Sequence, residues 1–108
     1  MAGRIFIGID VGTGSARAGV FDASGKMLAH ASQAIQLWYP EPEFVEQSSE
    51  NIWGACCAVV RTAMADAKVK PEQVGGVGFD ATCSLVLLDA QSKPVTVSPS
   101  GNDAQNII

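Results

Sequence analysis

The sequence predicts an α/β domain in which one helix packs on a face of a mixed β-sheet. Three apolar, strand-like runs follow one another at the start of the chain, with only tight turns between them. A long segment with helical periodicity then precedes two further apolar runs. The predicted order is therefore β-β-β-α-β-β. Because strands joined by tight turns pair antiparallel, the first three strands are expected to form a meander.

The meander opens the chain. Its first strand is predicted over residues 4–10, where nearly every side chain is apolar, as is typical of a strand covered on both faces. A turn rich in glycine and hydroxyl residues follows at 11–15, and the second strand occupies 16–21. The residues Asp-Ala-Ser-Gly at 22–25 favour another tight turn, which leads into a third strand at 26–32.

A helix is predicted between Ser48 and Pro71. Ser48 is a typical N-cap residue, Glu50 lies in the first turn, and Pro71 ends the helix. Apolar residues recur at steps of four, three, four and four, which places them on one helical face. These residues are Ile52, Cys56, Val59, Ala63 and Ala67.

Two strands are predicted after the helix, over residues 74–80 and 85–89. Large aromatic side chains precede the helix, lie within it and lie near the end of the first of these strands. We interpret Trp38, Trp53 and Phe79 as core packing, because apolar aromatic residues at such places are usually buried.

The composition excludes several classes of protein. A chain of 108 residues with 47% hydrophobic and 17% charged residues is not typical of intrinsic disorder. A net charge of −4 without a basic cluster argues against nucleic-acid binding. No apolar run reaches the roughly 18–20 residues that a membrane span requires. The apolar run at residues 5–9 is also too short for a signal peptide, so we expect a cytoplasmic protein.

The cysteines Cys56, Cys57 and Cys83 form no C-x-x-C pair. We therefore expect reduced, small side chains rather than zinc ligands, a disulfide framework or a nucleophile.

The turn after the first strand has the chemistry of a phosphate site. Asp10 ends the strand, and Thr13 and Ser15, each of which follows a glycine, supply hydroxyl groups. Turn N–H groups and hydroxyls can donate to phosphate oxygens, Arg17 adds positive charge, and Asp10 suits a Mg²⁺ ion beside the phosphates. A plain β-hairpin, in which Asp10 accepts from turn amides, explains the same residues equally well.

Three segments resemble the FGGY family of carbohydrate kinases. Residues 7–22 resemble the opening of that family, a motif that also occurs across the actin/Hsp70-like ATPase superfamily. Residues 45–53 resemble its Glu-Gln segment before a helix that carries a Trp, and residues 76–84 resemble the strand that reaches the sugar. The three in this order point to the kinase family. The resemblance makes residues 1–108 the N-terminal part of the first kinase domain, with the second domain absent from this chain.

The resemblance implies a ribonuclease-H-like fold, in which the β-β-β-α-β order begins each of two domains. It also implies that Thr13, Gly14, Ser15 and Arg17 contact the phosphates of ATP, and that Asp10 helps to place Mg²⁺. The family's catalytic base is an aspartate in the second half of a longer chain. We therefore expect no catalytic base, and no kinase activity, within these 108 residues.

The resemblance to ribulokinase-type members is carried by residues 76–84. It implies that Asp80, Ala81 and Thr82 contact a ketopentose or a related polyol, although Asp80 as a strand-end residue bonded to backbone is an alternative of equal weight. For the complete protein, the resemblance also allows a homodimer. Two other functions stay open: a non-kinase ATPase of the actin/Hsp70-like superfamily, and a non-catalytic binding module of the same fold.

Overall fold

The computed structural model describes residues 3–82, 84–95 and 106–107. One helix, α1, and seven strands lie in these ranges, and a short 3₁₀ turn at Pro71–Gln73 precedes the fifth strand. In chain order the elements are β1 (Ile5–Val11), β2 (Ser15–Asp22), β3 (Met27–Ala34), β4 (Glu46–Gln47), α1 (Ser49–Ala67), β5 (Val74–Ala81), β6 (Leu85–Val86) and β7 (Asn106–Ile107).

The main sheet has the strand order β3-β2-β1-β5. The first three strands pair antiparallel, as predicted, and β5 pairs parallel to β1 after the crossover through α1. The mixed sheet and its β-β-β-α-β order are therefore confirmed. Among the described residues, no helix is long and apolar enough to cross a membrane.

Helix α1 begins after the predicted cap Ser48, but it ends at Ala67, so the prediction that Pro71 ends it is wrong. The Ser48 side chain accepts a hydrogen bond from the Asn51 N–H at 3.3 Å, which satisfies one of the free donors of the first turn. At the other end Lys68 adopts a left-handed conformation with φ of 55° and closes the helix.

The core lies between α1 and one face of the sheet. Alternate residues of β1 and β2 point into it, and the helix contributes Ala55, Cys56, Val59 and Ala63. Three of the five predicted helix-face residues are fully buried; Ile52 and Ala67 pack at the rim, and the prediction missed Ala55.

The opposite face of the sheet is exposed in the described residues. Phe6 on β1 is 40% exposed, so the prediction that the first strand is covered on both faces is wrong here. The helix also lies mainly over β2 and β3 rather than over β5. Trp53 and Phe79 are consequently 64% and 59% exposed, and our interpretation of them as core residues is wrong; Trp38 is half-buried.

The strand predicted over 85–89 is shorter than expected. Only Leu85–Val86 forms a ladder, and it pairs with β7, which in turn pairs with β4. The chain then folds back through a turn that Asp89 closes, leaving an isolated bridge between Leu88 and Pro94. A proline has no N–H to donate, which limits the ladder at that point.

Candidate functional site

A row of polar residues crosses the exposed face of the main sheet. Asp10 pairs in register with Arg17 on β2 and with Asp80 on β5, and Arg17 pairs with Ser32 on β3. Residues in register on neighbouring strands point to the same face. The fold therefore brings the predicted metal residue Asp10, the predicted phosphate residue Arg17 and the predicted sugar residue Asp80 side by side.

A row of glycines lies next to the polar row. Gly8 pairs with Gly19 on one side and with Gly78 on the other. A Cβ atom at Gly78 would meet nothing within 4 Å, and one at Gly8 would meet only the Phe21 ring at 3.8 Å. Backbone is therefore open at Gly8 and Gly78, whereas the Phe21 ring covers Gly19, where a Cβ atom would meet it at 2.7 Å. The polar row runs along an open trough of about 800 Å³, which Phe21 and Met27 also line. The sequence alone does not predict this row, because Gly8, Gly19 and Gly78 are distant in the chain and become neighbours only through the strand register.

Asp10 and Arg17 form an ion pair in the trough. The Arg17 Nη2 atom donates to the Asp10 Oδ2 atom at 2.6 Å, and the two side chains are 55% and 48% exposed. An exposed pair of this kind contributes only about 0–1 kcal/mol to stability. The carboxylate bonds to Arg17 rather than to turn amides, and such a cross-strand pair is compatible both with a plain hairpin and with a phosphate site. A phosphate could therefore replace Asp10 as the partner of Arg17, and a metal ion could replace Arg17 as the partner of Asp10, with little loss of stability.

The turn after β1 is anchored through its carbonyl groups. The Gly12 N–H donates to the Ser15 carbonyl at 2.8 Å and closes the turn. The Thr13 carbonyl accepts from Gln47 at 2.9 Å, and the Gly14 carbonyl accepts from the Ile35 N–H at 3.0 Å. Thr13 and Gly14 are exposed, and within the described residues their own N–H groups donate no hydrogen bond. The turn thus offers two free amide donors of the kind that bind phosphate.

The predicted sugar residues do not share one face of β5. Asp80 lies in the trough beside Asp10, whereas Ala81 and Thr82 line a separate cavity of about 300 Å³ on the helix side. Side chains alternate between the two faces of a strand, so Asp80 and Ala81 point to opposite faces, whereas Thr82 lies beyond the end of β5. The Asp80 carboxylate makes no hydrogen bond within the described residues, and Cys83, which follows the end of β5, lies outside them, so the strand-end alternative stays open.

Gln47 is a buried residue to which the sequence analysis assigned no role. It is 1% exposed, and its side chain joins the turn after β1 to the end of β5. The Nε2 atom donates to the Thr13 carbonyl, and the Oε1 atom accepts from the Ser84 hydroxyl at 3.2 Å. Ser84 also lies 3.3 Å from the Thr82 hydroxyl. The sequence did contain a pointer to Gln47, because this residue lies in the Glu-Gln segment at residues 45–53 that resembles the kinase family.

The cysteines and the acidic side chains offer little further chemistry in the described residues. Burial raises the pKa of the Cys56 thiol, which makes it a poor nucleophile. Cys57 is half-buried, and Cys83 lies outside the described residues. The described residues hold no group of three or more His, Cys, Asp or Glu side chains that could bind a metal alone. At Asp10, a metal ion would therefore need further ligands, such as phosphate oxygens and water.

The chain is similar in sequence to carbohydrate kinases of one family. Residues 5–106 match the family model described as the N-terminal domain of the FGGY family of carbohydrate kinases. A human FGGY carbohydrate kinase domain-containing protein is 48% identical over 105 residues, which cover 97% of this chain and 19% of that protein. A D-ribulokinase of Saccharomyces cerevisiae is 48% identical over 107 residues, which cover 97% of this chain and 15% of its own length.

A solved structure extends the comparison to the fold. The gluconate kinase of Lactobacillus acidophilus superposes with a TM-score of 0.82 at 20% identity, over 99% of this chain and 20% of that one. The shared fold is that of the actin/Hsp70-like ATPases. Because the family model covers nearly all the described strands and the helix, the match also separates this chain from the other members of that superfamily. The chain belongs to the FGGY family of carbohydrate kinases, and it corresponds to part of the N-terminal domain of that family.

Proposed function

We propose that the complete protein is an ATP-dependent kinase that transfers the γ-phosphoryl group to a hydroxyl of a ketopentose or related polyol, with ribulose as the leading candidate. The turn at Thr13 and Gly14 carries this proposal. Its carbonyls are held by Gln47 and Ile35, and its two N–H groups are free within the described residues. Such a turn binds phosphate without first breaking its own hydrogen bonds.

The residues beside the turn fit a nucleotide phosphate and a divalent metal. Arg17, whose guanidinium group lies beside Gly12 of the same turn, supplies a cation, and Asp10 supplies a carboxylate that is already half exposed. Hard oxygen ligands of this type suit Mg²⁺, whose charge would stabilise the phosphoryl group during transfer. Thr13, Gly14, Ser15 and Arg17 would then bind the phosphates and orient the terminal one toward the sugar.

We place the sugar at the carboxyl ends of β1 and β5. Ligands of open α/β sheets bind in the crevice outside these strand ends. Asp80 reaches this edge from the trough, and Ala81 and Thr82 reach it from the helix side. The name of the 48% identical yeast relative supports a ribulose-type substrate. The proton of the attacking hydroxyl needs a base, and we assign none within the described residues.

Two further proposals concern the setting of the reaction. We propose that the protein works in the cytoplasm, as the short apolar run at residues 5–9 suggests. We also propose a homodimer as the oligomeric state of the complete protein. Fluorescent tagging tests the first proposal, and light scattering after size-exclusion chromatography tests the second.

The deciding experiment is a substrate panel on the complete protein. We would measure kcat/KM with Mg²⁺-ATP for ribulose, ribitol, xylulose and glycerol. We expect ribulose to have the highest value, because a site with polar partners rejects a substrate that leaves them unpaired. A clear preference for glycerol or xylulose would refute the ribulose assignment, and no phosphoryl transfer to any sugar or polyol would refute the kinase proposal.

A further inference from the structure

The Gln47 side chain connects two parts of the molecule that are far apart in sequence. Its partner Thr13 is 34 residues away, and its other partner Ser84 is 37 residues away. Gln47 and its neighbour Glu46 are the largest side chains that are fully buried in the described residues. A buried amide with both ends bonded is costly to disturb, because each lost bond leaves an unpaired polar group.

The chemistry of the partners determines how the Gln47 amide is oriented. The Thr13 partner is a carbonyl oxygen, which can only accept a hydrogen bond, so the NH₂ group must face it. The oxygen of the amide then faces Ser84, whose hydroxyl can donate. The reverse orientation would place two acceptors against each other at Thr13, so the side chain has one favourable arrangement.

The bond to Thr13 has a consequence for the free amides of the turn. A peptide group is planar and trans, so its C=O and N–H point in opposite directions. The Thr13 carbonyl shares a peptide group with the Gly14 N–H. Because Gln47 holds the carbonyl toward the protein interior, it directs the Gly14 N–H away from the interior. The exposed Gly14 amide is thereby oriented before any ligand arrives.

The hydrogen bond from Ser84 to Gln47 affects the segment that follows β5. The Ser84 hydroxyl donates to Gln47 and lies within hydrogen-bonding distance of the Thr82 hydroxyl. The Thr82 N–H in turn donates to the Val11 carbonyl at 3.1 Å, which ties the end of β5 to the end of β1. The position of the Thr82 side chain therefore depends on Ser84, and through it on Gln47.

We propose that Gln47 is a positioning residue that sets the spacing between the phosphate-binding turn and the sugar-binding end of β5. The inference rests on the proposed kinase function. Its Nε2 side positions the Gly14 amide for the phosphate, and its Oε1 side positions Thr82 for the sugar. The two sides can be disturbed separately, because they use different atoms of one amide.

The test uses the complete protein and steady-state kinetics with ATP and sugar varied independently. Gln47→Glu replaces the donor that faces Thr13 with an oxygen and keeps an acceptor for Ser84. We expect the KM for ATP to rise by about tenfold or more, with a smaller change in the sugar KM. Ser84→Ala removes both the donor to Oε1 and the hydroxyl beside Thr82, and we expect a sugar KM about threefold to tenfold higher with an unchanged ATP KM.

The chain offers a matched control for the chemistry of the substitution. Gln73 also donates through Nε2 to a backbone carbonyl, that of Gly3 at 3.2 Å, and accepts from the Lys70 N–H through Oε1. It lies before β5, at the end of the sheet away from the turn. Gln73→Glu should leave both KM values within about twofold of the wild type, since it alters the same bonds at another place.

A buried carboxylate can prevent folding, so Gln47→Met is the second variant. It keeps the length of the side chain without charge, loses both bonds, and should raise both KM values while circular dichroism stays native. If the folded Gln47 variants change both KM values no more than Gln73→Glu does, the positioning role is refuted while the kinase proposal stands. If the wild type transfers no phosphoryl group, Mg²⁺-ATP binding by calorimetry decides instead. Weaker binding by Gln47→Met than by wild type supports the phosphate half, and equal or undetectable binding refutes the inference.

Discussion

Asp10 and Asp80 lie opposite each other in register on the parallel strands β1 and β5. Neighbouring strands are about 4.8 Å apart, so the two carboxyl groups leave the backbone side by side on the exposed face. Arg17 binds Asp10 from the other side, at 2.6 Å, and no hydrogen bond of the described residues engages Asp80. The predicted metal residue and the predicted sugar residue are thus neighbours, so that a phosphate and a sugar bound as proposed would meet at one strand edge.

Replacing Asp10 with Asn should slow phosphoryl transfer. The carboxylate is proposed to act on the metal–phosphate complex, whose charge distribution changes most in the transition state, so kcat should fall by about 10²-fold, equal to some 2.7 kcal/mol. The sugar KM should change much less. Steady-state kinetics of the complete protein provide the measurement.

Asp22→Asn is the matched control for that variant. Asp22 lies at the opposite end of β2 from the phosphate turn, and its Oδ1 atom accepts from Ser24 and Lys26 in the β2–β3 turn. Those hydrogen bonds lower the pKa of its carboxyl group, and Asn retains the Oδ1 acceptor. We expect normal kcat for Asp22→Asn. A kcat for Asp10→Asn within twofold or threefold of wild type would reduce Asp10 to a structural residue of the hairpin.

Replacing Asp80 with Ala should impair use of the sugar. A site that loses one hydrogen-bonding partner typically loses about 1–3 kcal/mol, so we expect kcat/KM for the sugar to drop by about 10- to 100-fold. The affinity for ATP should stay nearly unchanged. Glu72→Ala, an exposed acidic residue before β5, is the control for loss of negative charge. Weaker ATP binding with normal sugar kinetics would instead assign Asp80 to the nucleotide site beside Asp10.

The 108-residue chain by itself should not phosphorylate any sugar. We assign no base to the described residues, and the chain spans only 15–19% of the length of the human and yeast relatives. Incubation with Mg²⁺-ATP and a panel of ketoses and polyols tests this expectation. Turnover of about 1–100 s⁻¹, the ordinary range for kinases, would place the catalytic apparatus within this chain.

Cys56 should resist alkylation in the folded protein. It is 3% exposed, and burial raises the pKa of its thiol, so the reactive thiolate is scarce near neutral pH. We expect iodoacetamide at pH 8 to modify Cys56 at least about tenfold more slowly in native protein than in denaturant, as followed by peptide mass spectrometry. Equal rates in the two states would show that α1 does not pack on the sheet as described.

Local sequence patterns were sufficient for most elements of the fold. The apolar runs, the Asp-Ala-Ser-Gly turn and the periodic helix each depend on residues close together in the chain, which is why the boundaries of β1, β2 and β3 and the start of α1 agree to within one or two residues. The helix ends earlier than predicted, at Ala67, where Lys68 adopts a left-handed conformation. The Ser48 cap was predictable for the same reason, since its bond to Asn51 spans three residues. The phosphate turn, too, is a contiguous motif whose residue types carry its chemistry.

The tertiary structure alone decided how these elements form a site. The glycine row and the Asp10–Asp80 pair arise from the register between β1, β2 and β5, which no single segment encodes. The exposure of Trp53 and Phe79 follows from the placement of α1 over β2 and β3. Gln47, on β4, can bond to Thr13 and Ser84 only because the fold brings the turn after β1 and the segment after β5 next to β4. The sequence by itself determined the local elements and the residue types that we predict to bind phosphate and sugar. Chain packing determined the neighbours of those residues, because hydrogen bonds across 34 and 37 residues leave no local periodicity in the sequence.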